Sequence, residues 1–392
     1  MKLHKRWCFR LCQWGWAWLL VVTPLWGQWV LLTRQADSLA QIALEHIYHQ
    51  RFDSAAHFAV ALQEQFPDHP VGYFLDALVD WWRIYLHQRV HRYDERFLEK
   101  VERTLEVTDR LLEKNPYDIV GLFFAGAARG YRGRYYVIRE QWIQALIDGK
   151  AGFDIISKLW KLAPGNSDIL LGIAIYHYFA AVFPEKYPLL KPLMAFLPPG
   201  SREGGLQELE YVAQHARYVR IEAKMLLLQI YYQFENAPER TEKLARELLA
   251  LYPENLFVRK YLGRALVRLG KRKEMEQQWR KVLLECMAGH YGCDSYLVRE
   301  ATYYVGYALL LRGEYEMAIK YLRKSLEFSQ VIDEDEPSGF WVETVLKLGD
   351  AYMRLGKKKE AVRWYKQVLE LPEFRSSYSR VKRRLKNLEE AG

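Results

Sequence analysis

Cys286, His290, Cys293 and Asp294 fall within nine residues, a density of soft and borderline ligands that invites a metal reading. Two thiolates and an imidazole are zinc ligands in kind, but C-x3-H-x2-C lacks the spacing of ordinary zinc sites. The same residues suit a disulfide closing a glycine-containing loop, or two free thiols, and the sequence leaves these three readings open. His87 and His91, four apart, and His46 and His49, three apart, each share one helix face without an identifiable third and fourth ligand. Trp81 and Trp82 read as core. There is no P-loop, G-x-G-x-x-G, G-x-S-x-G or H-E-x-x-H motif, so no catalytic residue, metal or cofactor is assigned.

The second stretch is basic and aromatic. Arg129, Arg132, Arg134 and Arg139 lie within eleven residues, interleaved with Tyr131, Tyr135 and Tyr136. Planar guanidinium groups pair bidentately with carboxylates, and tyrosines add amphipathic contact area. With Tyr176, Tyr178 and Arg202, these residues form a candidate surface for a peptide C-terminus or an acidic strand. The competing reading places the arginines in buried pairs between neighbouring structural units, with Glu140 or Glu203 as partners.

The elements that must position these groups are helical and repeated. Gly263, Gly306 and Gly349 are 43 residues apart, as are Gly270, Gly313 and Gly356. A period of this length means stacked supersecondary units. The first glycine of each copy allows close approach of a neighbouring helix. The second, seven on, suits a left-handed turn at a helix end. Five residues later stand Met275, Ala318 and Ala361, and four further Trp279, Leu322 and Tyr365. This skeleton resembles the tetratricopeptide repeat (TPR) over about 256–372. The resemblance implies a right-handed, all-α solenoid of helical hairpins that binds partners and catalyses nothing. Pro67, Pro116, Pro164 and Pro253 suit the ends of second helices, at spacings of 49, 48 and 89, the last fitting two units. The expectation is seven or eight hairpins. Residues 34–255 form degenerate, elongated units with a Pro-rich insertion at 183–200, residues 256–372 form three regular units, and 373–392 form a capping helix. Gly130 to Tyr135, Tyr176 to Phe179 and Pro198 to Leu206 are also similar to a TPR-type module of bacterial envelope proteins.

Four basic residues, Lys2, Lys5, Arg6 and Arg10, precede 23 uncharged residues from Leu11 to Thr33. That pattern reads as a signal peptide over 1–27, or as a membrane anchor over 11–33 if uncleaved. Either places the body outside the cytoplasm, periplasmic or membrane-anchored, where a Cys286–Cys293 disulfide is at home. The net charge of +9 is partly this leader, and no nucleic-acid motif accompanies it. The expected function is therefore an envelope scaffold holding another protein or peptide in a concave groove. The alternative is an envelope protein that binds a lipid, glycan or other small ligand in an aromatic-rich groove.

Overall fold

The computed structural model describes residues 33–390 other than 196 and 335. The hydrophobic leader, 1–27 or 11–33, lies outside the described residues apart from Thr33. Among the described residues the secondary structure is helical throughout, as the repeat pattern demands. Helices α1 (Arg34–Tyr48) and α2 (Phe52–Gln65), α3 (Val71–Leu86) and α4 (Asp94–Lys114), and α5 (Ile119–Ile138) and α6 (Trp142–Leu162) form three hairpins. In the fourth, α7 (Ser167–Lys186) pairs with α9 (Arg202–His215), and a 3-10 turn (Pro188–Leu190) and the short α8 (Lys191–Met194) intervene. Then follow α10 (Arg220–Gln233) with α11 (Pro238–Leu251), α12 (Leu256–Arg268) with α13 (Arg272–Met287), α14 (Ser295–Arg312) with α15 (Tyr315–Ile332), and α16 (Gly339–Arg354) with α17 (Lys358–Glu370). The last helix, α18 (Ser377–Glu390), packs on α16 and α17, with Arg380 on Glu343 and Arg384 on Asp350.

The helix ends follow from the sequence. Thr33, Asp118, Asn166, Ser201, Asn255 and Asp294 each accept a backbone N–H in the first turn of the helix they precede. Helices α2, α4, α6 and α11 all stop just before Pro67, Pro116, Pro164 and Pro253. Gly270, Gly313 and Gly356 have φ of 68°, 89° and 74°, the left-handed turn between the two helices of a hairpin.

The first glycine of each copy governs packing. A Cβ on Gly263 would lie 2.7 Å from the Trp279 ring, on Gly306 2.8 Å from Leu322, and on Gly349 2.5 Å from the Tyr365 ring. Hydrogen at these positions lets a large side chain of the second helix seat against the backbone of the first. Met275, Ala318 and Ala361 are buried beside them.

The array does not stay open. Residues of α1, α3 and α5 share one apolar core with residues of α10, α12 and α14. Trp82 meets Phe257 edge-on with ring centroids 5.9 Å apart, and Phe52 meets Tyr291 at 4.6 Å. Polar contacts fasten the same seam: Asn255 donates to the Tyr48 carbonyl at 2.8 Å, His87 meets Asp294 at 3.3 Å, and Tyr218 donates to Asp37 at 2.6 Å. The curvature of the stacked hairpins thus carries the first repeats back across the concave side of the later ones. His49 packs edge-on against Tyr252 and His46 stacks on Phe58, so these histidines serve packing.

Two stability predictions follow from these placements. Gly349→Ala forces the Tyr365 ring outward and should cost about 1–3 kcal/mol in urea unfolding; an unchanged midpoint contradicts the packing role. His69 accepts the Val71 N–H at the start of α3, and burial holds its pKa near about 4. Its neutral form is the folded one, so its contribution is complete above the ordinary value near 6.5 and shrinks as pH falls toward 4. Between pH 7 and 4.5 the protein should lose roughly 2–3 kcal/mol from this group, and His69→Gln should flatten that part of the profile. Parallel acid profiles for the two proteins would contradict it.

Candidate functional site

Among the described residues, closure of the array leaves a large space on its inner side. The chamber has a volume of about 560 Å³ and lies between α3, α5, α6, α7 and α10, with the start of the Pro-rich segment along one wall. Its lining is dominated by apolar and aromatic side chains, among them Phe74, Trp81, Phe123, Trp142, Phe153, Ile175, Phe179 and Phe183.

Helix α7 explains much of this lining. Tyr176, Phe179, Phe183 and Tyr187 recur at helical spacing and all face the chamber. The opposite face, with Ala174, Tyr178 and Val182, packs into the core shared with α9 and α10. A helix asked to satisfy both sides is apolar nearly all round, and among the described residues α7 alone is long and apolar enough to cross a membrane. Its two sides account for that composition.

Polar groups mark the rim. Tyr85 bonds Gln229, Gln229 meets Gln233, Lys186 sits 4.1 Å from the Phe234 ring centroid, Tyr187 packs on Trp142 at 5.5 Å, and Arg139 bonds the Gln88 carbonyl. Gln88, Glu140, Lys186 and Gln233 are exposed at this edge.

The arginines singled out from sequence are engaged by their own chain. Arg132 clamps Asp148 through two bonds of 2.6 and 2.9 Å and reaches Glu102 at 2.9 Å; Arg129 lies 3.5 Å from the same Asp148. Arg139 clamps Asp94 through two bonds of 2.7 and 2.6 Å and donates to the Val90 carbonyl. Arg202 meets Glu235 and Glu185 at 3.1 and 3.3 Å. Arg134 crosses the seam to Glu222 at 3.2 Å while lying over the Trp81 ring at 4.6 Å. Burial pulls the Arg134 pKa down, but Glu222 together with Tyr131 and Tyr85 offsets this and holds the guanidinium above its ordinary value. The carboxylates are Asp94, Glu102, Asp148, Glu185, Glu222 and Glu235, not Glu140 or Glu203.

The tyrosines divide. Tyr131 and Tyr176 line the chamber, Tyr135 packs on Phe97 at 5.3 Å, and Tyr178 is fully buried, donating to Glu235 at 2.5 Å. Tyr176 stacks on Phe153 at 3.7 Å and donates to the Pro198 carbonyl, and burial raises its hydroxyl to about 12. Gly200 and Gly205 press against the backbone of 177–181, so Pro198 to Leu206 is a strap tied to α7. Cys286 and Cys293 are joined in a disulfide that closes the loop before α14.

Sequence reasoning passed over Trp142, Gly149, Phe153 and Lys186, and it met Phe179 and Phe183 only as members of a motif and as the start of the Pro-rich segment. The available signal was the aromatic stripe of α7 at intervals of three and four.

Breaking one side of the seam pair should be worse than removing both. Glu222→Ala leaves Arg134 buried without its counter-charge and should cost about 3 kcal/mol. The Arg134→Met/Glu222→Leu double variant should recover most of that in urea unfolding; equal losses for the two would contradict a buried, paired role.

The comparisons with known proteins follow the same lines. A family model described as tetratricopeptide repeat matches residues 303–331 and 342–374. No curated protein sequence matches the chain. Among solved structures, that of the APC/C hetero-tetramer Cut9-Hcn1 has a chain similar in fold at 14% identity and TM-score 0.50, covering 92% of this chain. This chain spans 57% of that one's length. PilW, a type IV pilus biogenesis factor, aligns at 15% identity and TM-score 0.40, covering 65% of this chain and 97% of its own. The human IFIT1 dimer with m7Gppp-AAAA aligns at 12% identity and TM-score 0.41, covering 81% and 68%. Residues 303–331 and 342–374 thus match the tetratricopeptide repeat, and the helical hairpins of the chain have a fold similar to that solenoid.

Proposed function

We propose that this chain is a non-catalytic scaffold of the cell envelope that holds another envelope protein or peptide on its concave side. The repeats and the fold support a protein-interaction scaffold in general terms. The observation that carries the finer reading is the chamber: closure of the array covers much of the inner face and leaves the aromatic trough between α3, α5, α6, α7 and α10 accessible through a polar rim. An extended apolar segment entering there would bury its side chains against aromatic walls. Export follows from the basic and hydrophobic leader, residues 1–33, in this reading.

A second reading has its own observation. The trough is a chamber of about 560 Å³, within the range of small-molecule sites, so the bound species can be a small ligand instead of a polypeptide.

A photo-crosslinking residue at Gln88, on the rim, should repeatedly trap one envelope protein. The same residue at Lys366, on α17 and remote from the chamber, should not. Equal labelling from both positions, or no protein adduct from the rim in an envelope fraction, contradicts the scaffold reading.

A further inference from the structure

Two glycines in the chamber wall have no packing reason to be glycine. Gly130 lies in the middle of α5 and Gly149 in the middle of α6, both line the chamber, and a Cβ at either would meet no atom within 4 Å. Glycine is the costliest residue after proline in a helix interior, because it gives up the most backbone freedom. Elsewhere in the same helix pair the glycines are explained: Cβ atoms on Gly133 and Gly152 would lie 3.2 Å from the facing helix's backbone. At Gly130 and Gly149 the space beyond the missing side chain is the chamber itself. What they preserve is its volume.

The walls also restrict what can fill that volume. Asp168 is spent on the backbone N–H groups of Arg217, Tyr218 and Val219. The Tyr176 hydroxyl donates to Pro198, the Tyr85 hydroxyl to Gln229, and Arg134 is paired with Glu222. Two lining side chains keep a polar atom without a partner, Glu222 Oε2 and Trp81 Nε1, but both atoms are buried away from the open space; a glycan or another polyhydroxylated guest would lose its water and find few partners, an unfavourable exchange. An alkyl chain needs no polar partner, and its transfer from water to aromatic walls is favourable in proportion to its length. The polar rim of Gln88, Glu140, Lys186 and Gln233 then meets a head group left at the surface. Interiors are close-packed like organic crystals, with few voids larger than a water molecule, so an apolar space of this size stands out.

From these observations we propose that the chamber binds the single alkyl chain of an amphiphile such as a long-chain fatty acid, tail inward past Gly130 and Gly149, head at the rim. This rests on the small-ligand reading of the chamber and narrows it to one chemical class.

Isothermal titration of the full-length protein with saturated fatty acids from octanoate to stearate provides the test. Affinity should rise roughly fourfold per added methylene until the chamber is full, the fold-change corresponding to about 0.8 kcal/mol each. Gly149→Leu and Gly130→Leu should each weaken palmitate binding at least tenfold with an unchanged or raised unfolding temperature, since the new side chain enters empty space. Gly149→Ala should retain most of the binding, which separates filling of the chamber from any fault of folding. Chain-length-independent binding, or native mass spectrometry that finds a non-alkyl ligand retained in the chamber and displaced by Gly149→Leu, overturns the alkyl-chain assignment while the small-ligand reading stands. No fatty-acid binding, no retained ligand, and no ligand-linked effect of either leucine variant sink both.

Discussion

The approach distance between the two helices of a hairpin is the constraint from which the rest of the architecture follows. Trp279, Leu322 and Tyr365 lie directly against the backbone at Gly263, Gly306 and Gly349, so the three hairpins from α12 to α17 are built on the same close approach. A hairpin built this way hides one apolar face and presents another, which only the next hairpin can cover. Stacking is therefore obligatory, and the offset between successive units bends the stack until α1, α3 and α5 reach α10, α12 and α14.

Closure decides where polar groups go. Guanidinium groups that would decorate an open groove are instead drawn into the joints, each against a carboxylate from a different helix, as with Arg132 on Asp148 and Arg134 on Glu222. Bidentate pairing fixes direction as well as charge, so Arg132 on Asp148 and Arg139 on Asp94 orient α5 relative to α6 and α4, while Arg134 ties it to α10 through one bond. They also remove polar capacity from the inner space. What remains there is aromatic surface from α3, α5, α6 and α7, a recess whose chemistry is dispersion and exclusion of water.

Much of this was readable from residue order alone where the cause is local. The left-handed turns at Gly270, Gly313 and Gly356 and the proline stops need only a few neighbouring residues, and their positions were plain. That Gly263 admits a closely packed neighbour lies within one repeat and was equally legible, although Trp279 was not identified as that neighbour. The arginine cluster was visible, but its partners were not: Glu222 is 88 residues from Arg134, and no local period points to it. The seam joins Asn255 to Tyr48 over 207 residues and depends on accumulated curvature, which no single repeat encodes. Gly130 and Gly149 attracted notice only as members of a motif or not at all, because an empty volume leaves no signature in a string of letters.

The claim that most of the account hangs on is the return of the first repeats onto the later ones. Spin labels at Arg51 and Glu254, exposed residues whose side chains meet across the seam at 3.8 Å, allow pulsed electron paramagnetic resonance to read that distance in solution. A single narrow and short distribution is the predicted result. A broad distribution at long distance, the signature of an open superhelix, would contradict the closed array and the chamber with it.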